Sequence, residues 1–272
     1  MDDLQAIVRY YEGSKEEDRL IRGLGALELV RTREVLRRHL PPVPARIVDV
    51  GGGTGVHAEW LLDDGHDVHL VDLSPRNVDL AHRRLGASGL TTAVGDARHL
   101  ELPDASADVV LVLGPLYHLV ARHDRLAVLT EARRVVRPGG VVAAAAISRF
   151  ASLFDGLARE FMFDSAFASI VRRDLVDGRH LNPDEQPSWF TTAYFHRPDE
   201  LRDEVGLADL DVVDLVGLEG LASWLPHLEA RWADVDDRNT ILDAARLVET
   251  EPSVLGLSAH LLAVALRPTS TS

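Results

Sequence analysis

The chain has 272 residues, 46% of them hydrophobic and 26% charged, with a formal net charge of −14 at pH 7. Its length suits one large domain or a core domain with elaborations, and its apolar share suits a protein that buries a substantial core. The absence of cysteine excludes disulfide frameworks, thiolate–zinc and iron–sulfur sites, and cysteine nucleophiles. The acidic balance argues against nucleic-acid binding, which needs a positive surface.

The start, Met1-Asp2-Asp3, lacks the basic and apolar regions of a secretory signal. The longest smooth apolar runs, Val109–Leu113 and Val141–Ile147, fall far short of the roughly 20 residues that span a bilayer. The expectation is a cytoplasmic protein without a membrane partner. Residues 1–44 read as helical, with charges and leucines mixed through Glu16–Leu40 and a stop at Pro41-Pro42-Val43-Pro44. Between 45 and 148, the apolar runs Arg46–Val50, Val68–Leu73, Thr91–Val94, Val109–Leu113 and Val141–Ile147 alternate with helical stretches near His57–Asp63, Arg76–Leu85 and Asp124–Val136. That alternation predicts βαβ units and a parallel sheet covered on both faces.

From about 149 the rhythm breaks. Phe150–Val176 reads as one amphipathic helix, followed by a turn-rich loop and Trp189-Phe190-Thr191-Thr192-Ala193-Tyr194-Phe195. Pro198-Asp199-Glu200-Leu201 opens a short helix, with proline in its first turn. Leu210–Val216 and His260–Leu266 are strand candidates, with helices expected near Leu221–Ala233 and Arg238–Thr250. The expected organisation is a helical zone over 1–44, an α/β core over 45–148 and a helical addition over 149–197. The end of the core sheet follows over 198–267, then a flexible tail over 268–272.

The strongest chemical signal is Ile47-Val48-Asp49-Val50-Gly51-Gly52-Gly53-Thr54-Gly55. A strand runs into a glycine cluster and then a helix, so backbone can approach a ligand closely while the helix start offers free N–H groups. Asp49, Asp72 and Asp96 stand at or just past successive strand ends, where ligands bind in open α/β sheets. Gly53-Thr54-Gly55-Val56-His57-Ala58 also satisfies a G-x-G-x-x-A dinucleotide pattern. An NAD(P)-dependent oxidoreductase is therefore one alternative, although no second mononucleotide half is evident after Ile147.

The motif Asp49-Val50-Gly51-Gly52-Gly53-Thr54-Gly55 resembles the first motif of the class I S-adenosylmethionine-dependent methyltransferases. Val71-Asp72-Leu73-Ser74, Gly95-Asp96-Ala97, Asp108-Val109-Val110-Leu111-Val112-Leu113-Gly114 and Arg137-Pro138-Gly139-Gly140 resemble later landmarks of that family, in the same order. The resemblance implies a Rossmann-like α/β fold. Its mostly parallel seven-stranded sheet would have an antiparallel last strand, joined by N-terminal helices and a helical insertion after the fifth strand. It implies S-adenosylmethionine as cofactor, with Tyr11, Asp49, Gly51, Gly53, Gly55, Asp72, Leu73, Asp96, Ala97 and Leu113 as its contacts. Asp72 would receive the ribose hydroxyls and Asp96 the adenine amine.

The implied function is methyl transfer to an oxygen or nitrogen of a small organic acceptor in an enclosed pocket, with 45–148 as the cofactor-binding core, 1–44 as an N-terminal helical lid and 149–197 as a helical cap. A peptide acceptor and a noncatalytic scaffold are alternatives. Methyl transfer asks mainly for alignment, with a base only where the acceptor keeps its proton. His118, just past the fourth strand, is the candidate base. Tyr117, His118, His180, Tyr194 and His196 are candidate acceptor contacts, and the lid adds Tyr11 and Arg22. His66 and His69 lack metal-ligand company, so no metal site is expected.

Overall fold

The computed structural model describes residues 23–182, 186 and 188–269, so Tyr11, Arg22 and half of the expected lid lie outside them. Helix α1 (Gly23–His39) leads into β1 (Arg46–Val50), α2 (Val56–Asp63), β2 (Asp67–Asp72), α3 (Pro75–Leu85) and β3 (Thr91–Val94). Next come β4 (Ala107–Val112), the short α4 (Pro115–His118), α5 (Arg122–Val135) and β5 (Val136–Ile147). The chain then forms α6 (Ala151–Ala158), α7 (Ser165–Asp177), β6 (Arg179–His180) and β7 (Ala193–Tyr194). It ends with α8 (Pro198–Leu207), β8 (Asp211–Gly217), α9 (Leu228–Ala233), α10 (Val235–Val248) and β9 (His260–Leu266).

Seven strands pair in the order β3-β2-β1-β4-β5-β9-β8. β1 to β5 run parallel, and β9 lies antiparallel between β5 and β8. The expected sheet, including its antiparallel last strand, is present. The pleat sends alternate side chains to opposite faces. Val109 and Leu111 of β4 pack with Val35 of α1 and Leu61 of α2. Val110 and Val112 pack on the other face with Leu129 of α5 and Leu201 of α8. Burial on both faces explains why these strands read as continuous apolar runs. Chain order reverses between β1 and β4, which places a crevice at the carboxyl ends of the central strands.

Helix α1 is held by the C-terminal part of the chain. Leu27 packs with Ala222, Leu228, Ile241 and Leu242. The buried Arg31 guanidinium donates to the Leu218 carbonyl at 3.0 Å and pairs with Glu34 and Glu249. These long-range contacts anchor the described part of the N-terminal zone to the sheet's far end.

The expected single helix over Phe150–Val176 is two helices. Glu160 takes a left-handed φ of 64°, and Asp164 starts α7 by accepting from the Ala166 N–H at 2.7 Å. The local side-chain cap wins over helix continuation there. The expected helix near Leu221–Ala233 is likewise divided, into a short 3₁₀ turn over Gly220–Trp224 and α9. The end of the 149–197 segment is pinned to the end of β5, where the His196 N–H donates to the Ile147 carbonyl at 2.8 Å and the Arg149 N–H to the His196 carbonyl at 2.7 Å.

Beneath that junction lies a buried polar network. Arg125 makes two hydrogen bonds to Glu204, at 2.9 and 2.6 Å, and His196 Nε2 lies 3.1 Å from the same carboxylate. Burial alone raises the Glu204 pKa, but the hydrogen bonds from His196 and Arg125 outweigh it and hold the carboxyl at about 2. An unfolded glutamate titrates near about 4.3, so this stabilisation is complete above about that pH and fades as pH falls towards 2. Glu204→Gln should cost about 3–5 kcal/mol near neutral pH by leaving Arg125 buried without its counter-ion. Urea unfolding measures this loss, and an unchanged midpoint would contradict the assignment.

Candidate active site

The first site element is the turn leaving β1. Gly51 has a φ of 72°, and a Cβ there would meet the Pro115 ring at 2.7 Å. A Cβ at Gly52 would stand 2.6 Å from the Asp49 carboxylate. The chain therefore needs glycine at these two positions to pass between the Asp49 carboxylate and the start of α4. The Gly51 N–H donates to the Val71 carbonyl at 2.7 Å, and the Gly53 N–H donates to Asp72 Oδ2 at 2.9 Å. These bonds tie the turn to the end of β2.

The two buried aspartates are supported differently. Asp72 also accepts from the Ser74 N–H at 2.8 Å and from Asn77 Nδ2 at 3.3 Å. Burial still leaves its pKa raised despite those three donors. Asp49 is fully buried, and neither carboxylate oxygen has a hydrogen-bond partner among the described residues. Burial, and next the Asp72 charge, push its carboxyl up to about 7.

A single cavity runs along the carboxyl edge of the central strands. Its wall includes Asp49, Gly51, Gly53, Asp72, Leu73, Asp96, Ala97 and Leu113 from the expected cofactor set, with Tyr117 and His118 beyond them. Gly55 is not on that wall. It starts α2 with a φ of 86°, and its carbonyl accepts from Arg84 at 3.0 Å. Asp96 reaches the wall, but both its oxygens take hydrogen bonds from Arg98, which also pairs with Asp124 at 3.0 Å. Burial raises the Asp96 pKa, but the Arg98 contacts outweigh that and leave it lowered.

Tyr117 and His118 sit on α4, whose first residue, Pro115, fixes the chain's direction as it leaves β4. Their rings lie 4.7 Å apart, and His118 is within 6.3 Å of Phe190 from the cap. The other proposed acceptor contacts are built into packing and are not on this wall. His180 is buried, with Nδ1 at 2.8 Å from Asp174 and its ring stacked on Phe195 at 4.9 Å. Tyr194 lies under Arg125, 3.5 Å from guanidinium carbon to ring centre, and His196 belongs to the Glu204 network. Burial lowers the His196 pKa, ahead of the opposing pull of Glu204.

Sequence reading missed Glu28, Thr54, His57, Ser74 and Asn77, all on the wall. Ser74 and Asn77 carried a signal, because Asp72-Leu73-Ser74-Pro75-Arg76-Asn77 is a helix start with a capping serine and proline at the first helical position. Glu28 carried none, since only packing brings α1 to the sheet edge.

The raised Asp49 pKa makes a pH prediction with a definite sign. Its folded carboxyl titrates near about 7 and an unfolded aspartate near about 3.9, so stability falls as pH rises between those values. Asp49→Asn should raise the melting temperature of the ligand-free chain by several degrees at about pH 8, with the gain shrinking below pH 7. A melting series across pH checks both the sign and the window.

The cavity's chemistry suits an ammonium-bearing nucleoside: a buried carboxylate short of donors, open glycine backbone and a second carboxylate at the next strand end. Comparison with known proteins agrees. The pattern of the Methyltransferase domain family matches residues 48–144. Ubiquinone biosynthesis O-methyltransferases from two strains of Cereibacter sphaeroides are similar. One is 32% identical over 184 residues, covering 66% of this chain and 65% of that protein. The other is 31% identical over 195 residues, covering 71% of each. A crystal structure of an S-adenosylmethionine-dependent methyltransferase from Methanosarcina mazei superposes with a TM-score of 0.60 at 14% identity, covering 87% of this chain and 98% of that one. Sheet order, glycine turn and sequence relatives agree, so the chain belongs to the class I S-adenosylmethionine-dependent methyltransferases.

Proposed function

We propose that the chain methylates an oxygen of a small organic acceptor bound beside Tyr117 and His118. The observation that carries this reading is the continuity of the cavity from the glycine turn to these two side chains. The choice of oxygen is supported by the relatives from Cereibacter sphaeroides, which are named O-methyltransferases. When bound, S-adenosylmethionine supplies the electrophilic methyl group.

The chain's residues divide the remaining tasks. Asp72 accepts from the ribose hydroxyls while its other contacts hold Gly53, Ser74 and Asn77 in place. Asp49 and the Gly51–Gly53 backbone face the amino-acid end. Leu73, Ala97 and Leu113 line the apolar walls, and Asp96 borders the adenine edge while keeping Arg98 as its partner. His118 is the proposed base: the acceptor's hydroxyl proton passes to its ring as the new carbon–oxygen bond forms. The 149–197 segment, whose Phe190 ring lies within 6.3 Å of His118, borders the acceptor and excludes water.

Transfer of labelled methyl to a panel of phenols, carboxylic acids and amines tests the acceptor class. Products confined to amines would overturn the oxygen assignment. Asp72→Ala should weaken S-adenosylhomocysteine binding by about 1–3 kcal/mol in calorimetry, the range for losing hydrogen bonds to a charged group. Unchanged affinity would remove the ribose role. His118→Ala should lower kcat by about 10²–10⁴ with S-adenosylhomocysteine affinity retained. Normal turnover would remove His118 as the base.

A further inference from the structure

Three side chains distant in sequence converge at the active edge of the sheet: Glu28 of α1, Glu219 just past β8, and His260 at the start of β9. One ligand-type atom from each lies within 4.8 Å of the other two. His260 Nδ1 is 2.5 Å from Glu219 Oε1 and 3.6 Å from Glu28 Oε2. Two carboxylates thus point at one imidazole nitrogen, and Glu219 is fully buried. Carboxylate oxygens and an imidazole nitrogen brought this close together are donor types that hold a divalent cation.

The surroundings of Glu219 hold its carboxylate in a ligand's orientation. Its Oε2 accepts from the Ser258 hydroxyl at 2.7 Å and from the His260 N–H at 3.0 Å, which turns Oε1 toward the cluster. Ser258 is itself fixed, because its Oγ accepts from the Glu219 N–H at 3.0 Å and the Gly220 N–H at 3.2 Å. Outer hydrogen bonds of this kind orient carboxylate ligands at metal centres. Two carboxylates and one imidazole also make a donor set of borderline hardness, with positions left over for water or another ligand. Glu28 is on the wall of the cofactor cavity as well, so an ion held here borders that cavity.

The geometry points to a divalent-cation site formed by Glu28, Glu219 and His260, taking a first-row ion such as Mn²⁺ or Zn²⁺ at the edge of the cavity. Metal binding displaces any proton shared between His260 Nδ1 and Glu219. This inference differs from the sequence expectation of no metal site, which weighed only His66 and His69. It stands on the cluster alone and does not depend on the acceptor being an oxygen compound.

The test uses the full chain, freed of metal by chelator, and calorimetric titration with Mn²⁺ and separately with Zn²⁺. One ion per chain is expected, with affinity lowered at least about tenfold in His260→Ala and in Glu28→Gln. His260→Ala, at a position that is not on the cavity wall, should keep wild-type S-adenosylhomocysteine affinity, which confirms folding and separates this result from any failure to find an acceptor. With S-adenosylhomocysteine bound, Mn²⁺ should broaden that ligand's proton NMR signals in the wild type but not in His260→Ala. The site is overturned by absence of saturable binding at about millimolar metal, by variants that bind like the wild type, or by unbroadened ligand signals.

Discussion

The hydrogen bond from the Gly53 N–H to the Asp72 carboxylate is the contact on which the site depends. It joins the turn after β1 to the end of β2, and Asp72 passes the constraint onward to Ser74 and Asn77 at the start of α3. One carboxylate therefore sets the shape of two strand-to-helix turns. The cost is electrostatic, because Asp72 lies close enough to Asp49 to help raise its pKa. A ligand that brings positive charge and hydroxyl donors relieves that cost, so folding leaves strain that cofactor binding can use.

The chain handles buried charge in two contrasting ways. In the cap junction, Arg125 and Glu204 neutralise one another at short range, and Arg149 does the same with Glu200 at 2.5 Å. These pairs tie α8 to α5 and to Arg149 just past β5, and leave little for a ligand to do. Along the sheet edge, Asp49 and the Glu28–Glu219–His260 cluster gather carboxyl groups beside a cavity. The division separates scaffold from site more clearly than the overall charge does, because −14 is a sum over both.

Much of the core was legible. β1, β3 and β9 have the boundaries that the apolar runs suggested, and the other strands shift by a few residues at most ends. The largest difference is β5, which begins at Val136 because its strand continues through Arg137-Pro138-Gly139-Gly140 before the apolar run. The cap was read less well. Phe150–Val176 has helical periodicity throughout, yet Asp164 caps a new helix inside it and Glu160 turns the chain. His180, Tyr194 and His196 looked like acceptor contacts because they are polar rings in an aromatic segment. Their partners, Asp174, Arg125 and Glu204, come from three different helices that periodicity does not bring together.

The sequence by itself determined the parallel core and the cofactor half of the cavity, since both rest on local rules. Strands buried on two faces read as apolar runs, and a backbone that must turn against a carboxylate needs glycine. Tertiary structure alone decided which histidines face a cavity, that Asp49 lacks a donor among the described residues, and that Glu28, Glu219 and His260 meet. Those outcomes depend on contacts between distant segments, whose long-range pairing a linear pattern does not record.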